Sequence, residues 1–282
     1  MTAAPVAAPS EVRTHPIGLV PAVLVCGAAV LLFGFLLPLA GYALLLAGLL
    51  AAWLTDRSGR TSRLLPDLFL IALGQVIIST ISLQADITYP AMVRFAVVLG
   101  LAVAVPYVIS RYWYGDRVIR FPWRTGRRWT RTQWIYLVAV IVAAWLILPF
   151  YFITSGVYQN WPTVTAPDEI VRLFIGVNAV GTWDELFFIC TVFALLRRHF
   201  PTWQANLLQT VVFVSFLWEL GYREWGPLLT IPFVLVQGFT FSLTKSLTYV
   251  VTVHLLFDLV VFAVLVHAHN PELFDVFVTA PR

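Results

Sequence analysis

Runs of about 20 apolar residues, the length that carries a helix across a bilayer, recur along almost the whole chain. In hydrocarbon, only helices and closed barrels satisfy every backbone hydrogen-bonding group. The 282-residue chain is 60% hydrophobic and 11% charged, whereas a soluble domain carries about 25% charged residues. We therefore predict an all-α fold, a polytopic transmembrane helical bundle with about eight or nine spans.

The first apolar run, residues 17–54, is too long for one crossing. Pro38 and Gly41 interrupt it, which predicts two helices joined as a hairpin. The other spans are expected at residues 65–83, 91–110, 133–154, 169–196, 203–220, 227–243 and 247–267. The chain then divides into a disordered tail (1–16), N-terminal transmembrane helices (17–166), a transmembrane core (167–267) and a C-terminal tail (268–282).

The loops between the predicted spans alternate in charge. Residues 55–63, 111–131 and 197–198 are rich in arginine, whereas the intervening loops hold one basic residue between them, Arg223. The positive-inside rule therefore places the Arg-rich loops and the N-terminus in the cytoplasm, in a cytoplasmic (inner) membrane with lipid as a partner. These loops also explain the net charge of +4, so no nucleic-acid partner is expected.

Five ionisable residues interrupt the apolar helices of the C-terminal half: Asp184, Glu185, Glu219, His254 and Asp258. A charge at the bilayer centre costs at least about 2.5 kcal/mol. Counted by helix rise, Asp184, Glu219, His254 and Asp258 lie roughly 12–22 Å from the inner ends of their spans. We therefore predict that they line one polar cavity, although only one of the adjacent acids Asp184 and Glu185 is expected to point at its centre.

Such a cluster predicts two kinds of chemistry. A carboxylate whose pKa is raised by burial and by like-charged neighbours can activate a water as general base. Alternatively, Asp184, Glu219, His254 and Asp258 together suit a divalent Zn, Mn or Fe ion. Structural alternatives stay open at each position. Asp184 and Glu185 suit the first turn of a helix, Glu219 can pair with Arg223 at i+4, and His254 can be a hydrogen-bonded core residue.

At these residues the chain resembles the CAAX protease and bacteriocin-processing family of intramembrane endopeptidases. The family motif Glu-Glu-x-x-x-Arg is matched by Asp184-Glu185 and ends at Ile189. For the motif Phe-x-x-x-His, the segment "SFLWE" puts Glu219 where the histidine would be, with Phe216 one position off register. The motif His-x-x-x-Asn/Asp is matched in full by His254 and Asp258. The resemblance covers residues 167–266.

The resemblance implies that Asp184 is the base, Glu219 holds the water with it, and His254 and Asp258 stabilise the oxyanion. It implies hydrolysis of a peptide bond in a membrane-associated protein or a prenylated or processed peptide tail. Ile189 and Glu219 depart from the motifs. They leave two alternatives: a catalytically degenerate member that acts as a membrane interaction or immunity protein, and a metal-dependent membrane enzyme of another reaction type.

Overall fold

A computed structural model describes residues 16–126, 128–277 and 279. Across these ranges the chain is helical and has no β-strand, which confirms the predicted all-α fold. The predicted disordered tail lies outside the described residues, apart from Pro16.

Nine long helices make up the described part of the chain. In chain order they are α1 (Leu19–Gly34), α2 (Pro38–Arg57), α3 (Leu64–Ile78), α4 (Tyr89–Trp113), α5 (Arg131–Thr154), α6 (Pro167–Leu196), α7 (Thr202–Leu220), α8 (Gly226–Thr244) and α9 (Leu247–His269).

Six of these helices, α2, α4, α5, α6, α8 and α9, are long and apolar enough to cross a membrane, and α1 and α3 are shorter apolar helices. Helix α7 has 19 residues and carries Gln204, Asn206 and Gln209 among its apolar side chains. The chain is an integral membrane protein, and this helix count is broadly consistent with the eight or nine predicted spans.

Helices α6 and α9 form the centre of the bundle. Their apolar stretches are 72% and 67% buried, whereas those of α2 and α4 are only 22% buried and present apolar side chains outward. Helix α9 packs against α5, α6 and α8, and α7 packs against α1, α6 and α8. Because α6 and α9 lie in the protein interior, polar side chains on them can face other helices and avoid lipid.

Helix α6 changes geometry at its midpoint. It is α-helical over Pro167–Asp184 and π-helical over Glu185–Phe193. The Thr191 hydroxyl donates to the Leu186 carbonyl at 3.0 Å inside the π-helical segment. Short π-helical segments within α-helices occur frequently at functional sites, and this one begins between the two adjacent acids.

Candidate active site

The imidazole of His254 on α9 is bracketed by three carboxyl groups. Its Nδ1 lies 2.8 Å from Glu185 Oε1. Its Nε2 lies 3.8 Å from Asp184 Oδ2 and 3.8 Å from Asp258 Oδ1. Asp258 is one helical turn after His254, so the two residues share a face of α9. We call these four residues the central cluster.

Both adjacent acids therefore contact the same imidazole, but of the two only Asp184 lines the cavity beside it. Asp184 and Glu185 reach the two different ring nitrogens of His254, which point in different directions. The change from α to π geometry falls between them. It alters the angular offset of about 100° that separates consecutive residues in a regular α-helix.

Glu185 is held by a second partner that sequence reasoning did not include in the site. The Gln237 side chain on α8 donates from Nε2 to Glu185 Oε1 at 2.8 Å and to the Val250 carbonyl at 3.1 Å. Because Glu185 Oε1 already accepts from Gln237, we assign His254 Nδ1 as the second donor to it, which directs Nε2 at Asp184 and Asp258. The sequence signal for this role of Gln237 was that it is a single amide side chain within an apolar span.

Gly181 leaves the space that Asp258 occupies. A Cβ added at Gly181 would collide with Asp258 Oδ2 and would lie 3.3 Å from His254 Cδ2. Helices α6 and α9 can approach this closely only because position 181 has no side chain. Gly181 thus positions the Asp258 carboxyl beside the imidazole.

The central cluster is buried and only partly paired. Each of its four residues is at most 4% exposed. Asp184 Oδ1, Glu185 Oε2 and Asp258 Oδ2 have no hydrogen-bond partner in the described part of the chain. Three carboxyl groups surround one imidazole, so the cluster must hold a proton or bind a cation. The unpaired oxygens are also positions at which a bound water would be satisfied.

A cavity of about 350 Å³ meets the central cluster at Asp184, His254 and Asp258. Its other walls are mostly apolar and come from α4, α6, the end of α7 and three loops. They include Met92, Phe95, Leu99, Trp161, Leu173, Val177, Trp183, Leu217, Leu220 and Tyr222. The polar groups therefore sit at one wall of an apolar chamber, the arrangement common to small-molecule and substrate sites.

Tyr222, in the loop between α7 and α8, also lines this cavity. Burial, and then the charges of Asp258, Tyr151 and Asp184, raise the pKa of Tyr222 well above its usual value. Its phenol therefore stays protonated at neutral pH and is a hydrogen-bond donor beside the cluster.

The structure does not bring Glu219 into this cluster. Glu219 Oε1 accepts a hydrogen bond from the Leu83 backbone amide at 2.8 Å, in the loop between α3 and α4. Among the described residues it forms no ion pair with Arg223 either, although the two are spaced i, i+4. Glu219 therefore fixes a loop to the end of α7.

Leu217 and Phe213 occupy the face of α7 that Glu219 was expected to present. The Phe213 ring lies 6.2 Å from the His254 ring and stacks on Phe188 at 4.1 Å. Leu217, four residues later, lines the cavity. Glu219 follows Leu217 by two residues, which is about 200° further round an α-helix, so the two side chains cannot share a face.

Phe213 and Leu217 have the spacing of the motif Phe-x-x-x-His, with leucine at the position of the histidine. Sequence reasoning missed this register because it searched for an ionisable residue in place of the histidine. The signal that could have found it was the phenylalanine four residues before Leu217. In the first motif, Ile189 stands in place of the arginine and is fully buried.

The predicted metal ligands are not assembled as a set of four, because Glu219 lies elsewhere. Within residues 16–126, 128–277 and 279, no three His, Cys, Asp or Glu side chains are grouped so as to hold a metal ion. Of the four predicted ligands, Asp184, His254 and Asp258 do lie together, with His254 Nε2 3.8 Å from each of the two carboxyl groups. The divalent metal stays a prediction.

Residues 166–260 match the family described as type II CAAX prenyl endopeptidase Rce1-like. The predicted resemblance is confirmed. Comparison with curated proteins and with solved structures gives no match. The matched region spans α6 to most of α9 and contains the whole central cluster, so the site lies within an endopeptidase-like membrane region.

Proposed function

We propose that this protein hydrolyses a peptide bond in a membrane-associated protein or peptide tail, at the central cluster. The observation that carries the proposal is that Asp184, His254 and Asp258 meet at the wall of an apolar cavity, each carboxyl with an unpaired oxygen. The match of the surrounding residues to the Rce1-like endopeptidases supports the same reaction.

In this reaction Asp184 takes a proton from a water held against its carboxylate, and the resulting hydroxide attacks the scissile carbonyl carbon. In this proposal His254 is protonated on both ring nitrogens, and the oxygen that becomes negative receives hydrogen bonds from its Nε2–H and from protonated Asp258. The C–N bond then breaks, and Asp184 returns its proton to the leaving amine. Glu185 and Gln237 do not touch the substrate; they orient the imidazole through Nδ1.

The cavity supports an apolar or lipid-modified substrate tail. Its lining between Met92 and Leu220 is mostly aliphatic and aromatic, and burying apolar surface stabilises a complex by about 25 cal/mol per Å². A tail that fills this chamber would place a peptide carbonyl at the polar wall.

The test uses purified protein in lipid vesicles with membrane-anchored fluorogenic peptides, some prenylated. We expect cleavage by wild type and a loss of at least about 100-fold in His254→Ala. Glu219→Gln is the matched control. It removes another buried acid of the matched region, one that does not line the cavity, and the variant should remain active. Equal loss in both variants, or no loss in His254→Ala, would refute the assignment.

A second candidate is a catalytically degenerate member that acts through membrane interactions. Leu217 and Ile189 favour it, because both replace polar motif residues with buried or cavity-lining aliphatic ones. Leu217→His discriminates between the candidates. If wild type cleaves no peptide and Leu217→His does, the wild-type protein is a degenerate member; if wild type cleaves, it is an enzyme.

A metal-dependent reaction is the third candidate. His254 Nε2, Asp184 and Asp258 would hold the ion, which would supply Lewis-acid activation of a carbonyl or a water. Metal analysis of the purified protein, and activity after treatment with EDTA, test this candidate. Full activity in metal-free protein would exclude it.

We also propose that the Arg-rich loops and the N-terminus face the cytoplasm, on the strength of the charge alternation. Single cysteines introduced at positions 124 and 159 test the orientation. An impermeant reagent applied to intact cells should label position 159 and leave position 124 unlabelled; the reverse pattern would overturn the orientation.

A further inference from the structure

A second cavity, of about 330 Å³, lies at the ends of α2, α3 and α6, away from the central cluster. It is formed by the α2–α3 loop and the start of the α6–α7 loop. Its lining residues are Gly18, Gly59, Arg60, Thr61, Ser62, Arg63, Leu64, Arg198, His199 and Phe200. This lining contains three arginines and one histidine, and no acid.

Two of the arginines are fixed in place by acids that lie outside the lining. Arg198 Nη1 is 2.6 Å from Asp116 Oδ2 and 3.1 Å from Asp67 Oδ1. Arg63 is 3.1 Å from Asp116, and His199 Nε2 is 2.6 Å from Asp67 Oδ2. We call these five residues the face cluster.

Arg60 is the cation that the face cluster does not neutralise. It is exposed and has no ion pair within the described part of the chain. Asp56, the acid nearest to it in sequence, accepts hydrogen bonds from Thr61 Oγ1 and from the Leu64 and Leu65 amides. Asp56 thereby holds the loop that presents Arg60, with Gly59 and Arg63 at positive φ. The lining of the cavity therefore presents cationic side chains and no acid, while Asp56, Asp67 and Asp116 hold the lining residues from outside it.

The cavity lies where a lipid headgroup would lie. It is bounded by the first residue of α3, Leu64, and by the loop that follows α2. The last turns of α2 carry the exposed apolar side chains of Trp53 and Leu54. Basic pockets between helix ends on the positively charged face of a membrane protein bind anionic headgroups. Arginine pairs with phosphate oxygens in bidentate geometry.

We propose that this cavity binds the phosphate group of an anionic phospholipid in the leaflet next to the Arg-rich loops. Arg60 and the exposed side of Arg63 contact the phosphate, and Ser62 supplies a hydroxyl donor. The acyl chains extend along the exposed apolar end of α2. A soluble phosphate shares the headgroup chemistry but lacks these chains.

The test is native mass spectrometry of the full-length protein in detergent, titrated with phosphatidylglycerol or with phosphatidylcholine. Wild type should bind phosphatidylglycerol more tightly. Arg60→Gln should weaken that binding about fivefold, the effect of removing one basic contact near a membrane surface. Arg57→Gln is the matched control, because Arg57 is three residues away, lies over the Trp53 ring and does not line the cavity.

Equal binding of the two lipids by wild type would overturn the proposal. An equal loss in Arg57→Gln and Arg60→Gln would do so too, since it would mean that general surface charge attracts the lipid. Glycerol 3-phosphate is the soluble probe: if it binds wild type as tightly as phosphatidylglycerol does, the ligand is a soluble phosphate and the lipid assignment is wrong.

Discussion

The face cluster and the central cluster are both groups of acids around basic side chains, but they differ in how completely they are paired. In the face cluster, both Asp67 oxygens have partners in Arg198 and His199. Asp116 Oδ2 pairs with Arg198, and Asp116 Oδ1 accepts from the Arg117 amide. In the central cluster three carboxyl groups share one imidazole, and each keeps an oxygen with no partner in the described part of the chain.

We interpret the fully paired face cluster as structural and, in line with the proposed function, the incompletely paired central cluster as functional. Fully paired acids at the ends of helices stabilise the packing of α3, α6 and the segment after α4. Unpaired acids inside the membrane cost free energy, so a chain keeps them where they do chemistry. Functional sites of this kind are commonly less stable than the same site with neutral residues.

The largest effect expected from this comparison is on catalysis. Asp184→Asn removes the base but keeps the size and hydrogen-bonding capacity of the side chain. We expect peptide cleavage in vesicles to fall by about 10²- to 10⁴-fold. Cleavage at the wild-type rate would show that the base is another residue.

In the face cluster the same kind of substitution should act on stability. Asp67→Asn leaves His199 without its carboxylate partner and Arg198 with Asp116 alone, and we expect a loss of about 2 kcal/mol in unfolding free energy. Activity per folded molecule should be retained. Asp168→Asn, which removes an exposed partner of Arg172, is the control and should cost no more than about 0.5 kcal/mol. If thermal unfolding gave the same loss of stability for Asp67→Asn and Asp168→Asn, the structural role of the face cluster would be contradicted.

A smaller effect on catalysis should follow from Gly181→Ala. The added methyl group collides with the Asp258 carboxyl, and a displacement of this size should lower cleavage about tenfold. Gly27→Ala on α1 is the matched control, because a Cβ there meets nothing within 4 Å. An unaffected rate in Gly181→Ala would mean that the position of Asp258 is not critical.

The smallest expected effect is on the dependence of folding stability on pH, through Asp116. Burial raises the pKa of Asp116, but hydrogen bonds from Arg198 and the Arg117 amide, with the charges of Arg198 and Arg63, more than offset it and hold the pKa below the usual value of 3.8. A lowered pKa stabilises the folded state above pH 3.8, and this contribution disappears as the pH falls further.

Asp116→Asn should therefore unfold more easily than wild type at neutral pH, by about 0.5–1 kcal/mol. Thermal unfolding of both proteins from pH 7 to pH 3 tests this. The difference should stay constant down to the usual aspartate range, about pH 3.9, and shrink below it. A difference that grew on acidification would have the wrong sign.

The helical spans could be predicted from the sequence because hydrocarbon imposes a length and an apolar character on each segment separately. The residues Asp184, Glu185, His254 and Asp258 could be identified because a charge in an apolar helix needs a partner or a function. Both arguments use information local to one helix.

The partner of Glu219 could not be predicted in this way. Leu83, whose amide it accepts, is 136 residues away in a loop, and a backbone amide has no side-chain signature. The role of Leu217 was hidden for a related reason, since an aliphatic residue in an apolar helix carries no local signal.

Our central claim is that the chain retains the incompletely paired carboxyl groups of the central cluster for catalysis, at a cost in folding stability. Thermal unfolding of Asp184→Asn in detergent at neutral pH tests it without any knowledge of the substrate. Because the variant removes one of three crowded carboxyl groups, we predict an unfolding midpoint equal to or higher than that of wild type. A midpoint lowered as much as in Asp67→Asn would contradict the claim and would make Asp184 a structural residue.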